Sequence, residues 1–320
     1  MINLRGAFQK IALSLWCDFG KALFFMEEIN KYIEYIKYEK RYSGHTVGAY
    51  EIDLNQYAKF IGQKYDTQIL DSDFSHIRSW IVYLGNENIS KRSINRKITT
   101  LRSFFKYFKL NGQIATNPAA KINLLKTSKP LPVYVEEEDM DDLFNDDLFS
   151  DDYKGVLSKT IIDLLYGTGM RVSELVNLKV NSIDWHNNQL KVLGKRNKER
   201  IIPIGKGTVE LLHLYNKVRK EEVSHIIDDS YFFIGIKGKK IYPKFVYRII
   251  NYYLSLVTTI KKRSPHVIRH TFATHMLNKG ADLNAIKEIL GHASLSATQI
   301  YTHNSIENLK NVYKQAHPKA

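Results

Sequence analysis

Ser90 to Leu110 reads SKRSINRKITTLRSFFKYFKL, and the spacing of its apolar residues decides the character of the first part of the chain. Ile94, Ile98, Leu101, Phe105 and Phe108 recur at intervals of four, three, four and three, which places them on one face of a single helix. Lys91, Arg92, Arg96, Arg102 and Lys106 spread over the opposite side. Such charges commonly do no more than solvate an amphipathic helix. In a basic chain they are equally candidates for contact with a phosphate backbone, and Arg92, Arg96 and Arg102 are the residues in question.

The same period runs upstream. Ile29, Tyr32, Ile33 and Ile36 form one stripe, and Val47, Tyr50, Leu54, Tyr57 and Ile61 form a second behind the cap Ser43. Downstream, Asn111-Gly112 ends the helix. Asn117-Pro118 to Pro132 then carries three prolines with Lys121, Lys126 and Lys129 and no periodicity, the composition of an exposed linker. The expected organisation is an N-terminal extension over 1–25, with Met26 as the functional start, a helical domain over 26–112, a linker over 113–133 and a second domain over 134–320.

That second domain opens on Glu136 to Asp147, EEEDMDDLFNDD, eight acids without a base, which suit the N-terminus of a helix. Ile161 to Tyr166 is an apolar helix ended by Gly167, and another begins at Arg171. The period then changes. Gln189 to Leu193 alternates, Gly194 to Lys198 supplies turn residues, and Arg200 to Ile204 is apolar, which together predict a hairpin. Helices resume over Val209–Glu222 and Tyr242–Ile260 and continue through Tyr301.

A net charge of +14 over 320 residues, +22 outside the acidic run, fits a polyanionic partner better than a neutral metabolite. The hydrophobic fraction of 44% is that of a globular protein. Cys17 is the single cysteine, so no internal disulfide forms, no zinc-type cysteine cluster exists, and a reducing cytoplasm is favoured. No apolar run has the length of a membrane helix. The patch Ile11 to Cys17 is short, is followed at once by Asp18 and has no small-residue cleavage site, so it does not read as a signal peptide.

The residues that carry chemistry lie in the second domain. A phosphodiester repels nucleophiles with its anionic oxygens, and guanidiniums answer this with a planar fork of permanent charge. Arg171 follows the turn Gly167-Thr168-Gly169 at a helix start, where free backbone amides also favour an anion. Glu174, three residues on, shares its helical face and is placed to orient a neighbouring group. Ser264-Pro265-His266 is a helix-start signature. His266 and Arg269, three apart, reach to one side, whereas His270 and His275 have the look of ordinary structural histidines. Gly291 suits the left-handed position closing a helix over Ala281–Leu290, which puts His292 on a tight turn. Ser294 or Ser296 then starts the short helix that carries Tyr301. A tyrosine on such a helix is ordinarily core. Its nine-residue spacing from His292, together with the upstream motifs, marks it as a nucleophile.

GTGMRVSEL, the Gly194-Lys195 turn, HVIRH and LGHASLSATQIYTH together resemble the motif set of the tyrosine recombinase (phage integrase) family, in its order and spacing. The resemblance spans roughly Met26 to Ala320. It is closest to the Xer branch, through the compact chain, the NPAAKI linker and the terminal His317-Pro318-Lys319-Ala320. It implies a mainly α fold with a small antiparallel β-sheet, arranged as a two-domain C-shaped DNA clamp: a helical, SAM-like core-binding domain and a catalytic domain. It assigns the catalytic positions to Arg171, Lys195, His266, Arg269, His292 and Tyr301. Tyr301 would attack the scissile phosphate to give a 3′-phosphotyrosyl link and a free 5′-hydroxyl, a transesterification that needs neither cofactor nor metal. Arg171 and Arg269 would stabilise the transition state, Lys195 would protonate the leaving oxygen, and the histidines would position phosphate and proton. Arg196 stands where the Xer branch often has glycine, so the proton donor is one of the bases of this turn. Lys195 is the one its position relative to Arg171 selects. Arg196, Lys198 and Arg200 fall to the DNA backbone.

The implied function is site-specific recombination of double-stranded DNA, serving chromosome dimer resolution. The implied partners are a homo- or hetero-tetramer with a second recombinase, each C-terminal helix near Ile306–Gln315 docking on a neighbour, and a DNA translocase; no membrane is involved. A mobile-element integrase or transposase would use the same residues, though often with an extra N-terminal domain. A relaxing topoisomerase shares the chemistry, and a non-catalytic DNA-binding protein would share only the charge.

Overall fold

The computed structural model describes residues 27–127, 133–194, 199–223, 225–291 and 315–316, and of Asp146 the backbone only. The chain divides into two compact units, Met1–Pro130 and Leu131–Ala320. It is mostly helical, with one three-stranded antiparallel sheet in the second unit.

In the first unit, helix α1 (27–34) runs into a π-helical turn, Tyr35–Glu39. Then come α2 (Gly44–Tyr65), α3 (Phe74–Asn86) and α4 (Lys91–Leu110). Each of these three starts on a side-chain cap: the oxygens of Ser43, Asp73 and Ser90 accept from the amides of Thr46, His76 and Ser93. All five apolar residues of the α4 stripe are buried, with Phe104 added, and pack with Tyr57 of α2 and Trp80 of α3.

The basic side of α4 departs from expectation. Asp53 on α2 is wholly buried, and it receives Arg96 Nη1 at 2.6 Å, Lys97 Nζ at 2.8 Å and Thr100 Oγ1 at 3.1 Å. Arg96 also donates to the Ala49 carbonyl, so its guanidinium is anchored inward although the side chain keeps 41% exposure. Arg102 gives its Nε and Nη2 to the carbonyls of Ala119 and Ile122, and so braces the chain leaving α4. Of the three arginines proposed for the backbone, Arg92 and Arg96 are exposed, and of these Arg96 has its guanidinium held by Asp53. The reason is geometric: positions 96 and 102 border the apolar stripe, where α2 and the outgoing chain press against the helix.

The second unit begins with α5 (Glu137–Leu143), whose first turn carries Glu137, Glu138 and Asp139 beside the positive end of the helix dipole. Helix α6 (Tyr153–Thr168) is buried on nearly every side and packs against α8 (Lys206–Glu222) and α10 (Pro265–Asn278). It runs past Gly167 and ends at Gly169, which takes the left-handed conformation (φ 58°). A Cβ there would also fall 2.5 Å from the Phe272 ring, so both the turn and the packing require glycine at 169. After α7 (Val172–Val176) the expected hairpin forms from β2 (Gln189–Leu193) and β3 (Glu199–Pro203), with Val192 opposite Arg200. A two-residue strand β1 (Ile183–Asp184) pairs with β2; it is too short to leave an alternating pattern in the sequence. Helices α9 (Pro243–Val257) and α11 (Leu283–Leu290) complete the unit.

Candidate active site

Gly291 has φ 65° and closes α11, as its place in the sequence predicts. The last carbonyls of a helix lack intrahelical partners and carry the negative end of its dipole. Here three consecutive ones are taken by three different arginines. Arg200 Nε donates to the Ile289 carbonyl at 2.7 Å, Arg269 Nη2 to Leu290 at 2.6 Å and Arg171 Nη2 to Gly291 at 3.1 Å. The guanidiniums come from β3, α10 and the start of α7, and His292 follows directly in the chain.

One carboxylate organises two of them. Glu174 Oε1 accepts from Arg171 Nη1 at 2.8 Å and Arg200 Nη1 at 3.0 Å, while Oε2 accepts from Arg200 Nη2 at 2.8 Å. Oε2 also takes the amide of Arg171 at 2.8 Å, so that amide is not free for an anion as the sequence suggested. Burial pushes the Glu174 carboxyl up, but Arg200 and Arg171 more than offset this and hold it below the ordinary carboxylate value.

Arg269, 8% exposed, touches no carboxylate among the described contacts; its other nitrogen, Nη1, donates to the Gly169 carbonyl at 2.5 Å. Burial, followed by the charge of Arg171, pushes its pKa down to about 10, so it is cationic at neutral pH but pressed by its neighbours. Among the described residues three guanidiniums stand against one carboxylate, which leaves two positive charges over, and the Arg171 side chain keeps 31% exposure. A phosphate arriving at Arg171 and Arg269 would relieve that repulsion.

His266 is exposed in the first turn of α10, one turn before the buried Arg269. His270 is exposed on the same helix. His275 is buried, with Nε2 2.9 Å from the Val135 carbonyl and Nδ1 2.8 Å from the Tyr166 hydroxyl, and burial pushes its pKa down, toward the neutral ring. Lys195, Arg196, Lys198, His292 and Tyr301 lie outside the described residues.

Arg200 corrects the sequence reading. It was assigned to the DNA backbone, yet it is 4% exposed and wholly engaged by Glu174 and Ile289. The signal that could have found it is parity. On a strand, alternate residues share a face, and Arg200 falls in step with the buried Ile202, out of step with the exposed Glu199.

Among the described residues no cluster of histidine, cysteine, aspartate and glutamate could hold a metal. A cavity of about 660 Å³, lined among others by Tyr153, Lys240, Tyr242 and Arg248, includes none of the arginine cluster.

Residues 134–308 match the phage integrase family model, and residues 29–112 match its N-terminal SAM-like domain. The chain is 38% identical over 296 residues to the tyrosine recombinase XerC of Staphylococcus saprophyticus, covering 92% of this chain and 99% of that one. It is 37% identical over 297 residues to the tyrosine recombinase XerC of Pelobacter propionicus, covering 92% and 96%. Among solved structures, the XerH site-specific recombinase bound to a palindromic difH substrate superposes with TM-score 0.67 at 21% identity, over 83% of this chain and 78% of that one. A lambda integrase dimer bound to a COC′ core site gives TM-score 0.64 at 16% identity, over 86% and 98%. At such identities the likeness is one of fold.

Proposed function

This chain belongs to the phage integrase family, in its Xer branch of tyrosine recombinases, and on that premise we propose how its residues cut and rejoin DNA. It is a tyrosine-type site-specific recombinase. The observation that carries the mechanistic reading is the convergence of Arg171 and Arg269 on the carbonyls of Leu290 and Gly291, with positive charge left over, directly ahead of His292.

In this reading the two arginines receive the non-bridging oxygens of the scissile phosphate and stabilise the charge that develops as it becomes pentacoordinate. The Tyr301 oxygen attacks phosphorus, the bond to the 5′-oxygen breaks, and that oxygen leaves with a proton from Lys195. The tyrosine proton passes toward the His266 and His292 side. Because the phosphodiester energy is kept in the phosphotyrosyl link, the reverse attack by a 5′-hydroxyl reseals the strand.

The substrate is double-stranded DNA at a recombination site, and the working form is a tetramer on two sites, with itself or with a second recombinase. The cellular role is chromosome dimer resolution in the cytoplasm, with a DNA translocase as regulator. Support for that role over mobile-element integration comes from XerC-named relatives matched over nine-tenths of the chain, whereas the likeness to the solved lambda integrase is one of fold. No helix among the described residues is long and apolar enough to cross a membrane.

The test is a nicked suicide duplex carrying the host chromosome's recombination site. The wild-type chain is expected to give a covalent protein–DNA band and Tyr301→Phe none, with binding retained. A band from both would remove Tyr301 as nucleophile.

A further inference from the structure

Arg200 sits where three parts of the reading meet. It lies one residue inside β3, paired with Val192, and five residues after Lys195 in the chain. Both terminal nitrogens of its guanidinium grip Glu174, which also holds Arg171. Its Nε holds the Ile289 carbonyl. A Cβ built on Gly291 would lie 3.2 Å from Arg200 Cδ and Nη1, so the guanidinium packs flat against the turn that precedes His292.

The hairpin also packs through Leu190, Val192 and Ile202 into the core that holds Leu175, Ile289 and Leu290, but among the described residues Arg200 is the polar link between it and the arginine cluster. The other ion pair at that end of the hairpin, Lys191 Nζ to Glu199 Oε2 at 2.8 Å, joins β2 to β3 and leaves both side chains more than half exposed, so it is worth little and reaches nothing beyond the hairpin. A guanidinium can span two carboxylate oxygens and a carbonyl at once because its donors radiate in a rigid plane; an ammonium offers a single point.

We propose that Arg200 is a positioning residue: it locks the root of the hairpin to Glu174 and to the end of α11, and so places Lys195 at the leaving 5′-oxygen of the phosphate held by Arg171 and Arg269. The proposal rests on the reading of Lys195 as proton donor. Arg200 itself touches no reacting atom.

The experiment uses the full chain and two nicked suicide duplexes, one ordinary and one with sulfur replacing the 5′-bridging oxygen at the scissile phosphate. A thiolate leaves without a proton, so the sulfur duplex bypasses the proton donor while still requiring Tyr301 and both arginines. Lys195→Ala, Arg200→Lys and Arg200→Met are compared with wild type. Arg200→Lys keeps the buried positive charge beside Glu174 and stands in should Arg200→Met fail to fold.

Arg200→Lys is expected to cleave the ordinary duplex about 100-fold more slowly, the scale of loss from a small misplacement of a reacting group. On the sulfur duplex it should return nearly to the wild-type rate, as Lys195→Ala should. Rescue of Lys195→Ala without rescue of Arg200→Lys would overturn the proposal and leave the reading of Lys195 intact. Failure to rescue Lys195→Ala would overturn that reading, and the proposal with it. Wild-type cleavage of the ordinary duplex by Arg200→Lys would overturn the proposal outright.

Discussion

Each unit of the molecule buries one carboxylate between two cationic side chains, yet only one of the two clusters is equipped to receive a ligand. At Asp53 the network closes on itself. Lys97, nearly buried, spends its ammonium on Asp53 and Gln56, Thr100 fills a further acceptor site, and the result ties α2 to α4. At Glu174 the network stays open. Among the described residues a third guanidinium, Arg269, stands by with carbonyl partners only, so two positive charges are left over here against one at Asp53. Burial of an ion pair therefore says little about function here. Uncompensated charge, gathered from segments far apart in the chain, separates a site from a staple.

The comparison can be broken most forcefully at the staple. Asp53→Ala leaves Lys97 buried without its counter-charge and should cost about 3–5 kcal/mol, read as a lower urea midpoint for the first unit. Cleavage by the folded fraction should be unchanged; a matching loss of cleavage rate would mean that the Asp53 cluster also serves the chemistry.

Arg171→Ala tests the other cluster. Removing one preorganised donor to a transition-state oxyanion slows the chemical step by roughly 10²–10³-fold. Thermal stability should move far less than in Asp53→Ala, because Arg171 is partly solvated and Glu174 keeps Arg200. Single-turnover cleavage and melting curves on the same preparation decide it.

A smaller effect follows from His275. Burial holds its pKa below the ordinary histidine value of 6.5. Glu137 and Glu136 oppose that shift and Lys279 adds to it. The unfolded chain therefore takes up a proton before the folded one does as pH falls. The second unit should lose stability below about pH 6.5, by at most about 1.4 kcal/mol per pH unit. Melting from pH 7.5 to 5 checks this: His275→Gln should flatten the slope, and an unchanged slope would assign it to other groups.

The smallest effect is expected at Lys191. Its pair with Glu199 is exposed, so Lys191→Ala should cost no more than about 1 kcal/mol and leave cleavage intact. Arg200, opposite the next residue of the same strand, is expected to matter greatly. Equal effects at the two positions would dissolve the distinction between charge on the surface and charge in the cluster.

Much of the scaffold was legible because it depends on near neighbours. The apolar stripe of α4 has helical period, Ser43 caps the amide three residues on, and Gly291 takes the left-handed turn because it lacks a Cβ. The β2–β3 hairpin showed in the change of period from 3.6 to 2. The end of α6 falls two residues later than expected because Gly167 and Gly169 look alike in sequence, and the fold alone gives Gly169 the left-handed turn and sets it against Phe272.

The sequence by itself determined the helical stripes, the caps, the hairpin and the motif set that defines the family, since all rest on spacing along the chain and on backbone conformations set locally. Which arginines face inward was decided by tertiary structure. Arg92 and Arg102 read alike on paper, and one is exposed while the other grips the carbonyls of Ala119 and Ile122. Arg200 reads as a surface base beside Lys195, and it lies buried because Glu174, 26 residues away, and Ile289, 89 residues away, meet it there. Charge has no period. Its partner is whatever the fold brings within about 3 Å, and a guanidinium is buried only where carboxylate and carbonyl oxygens replace the water it gives up.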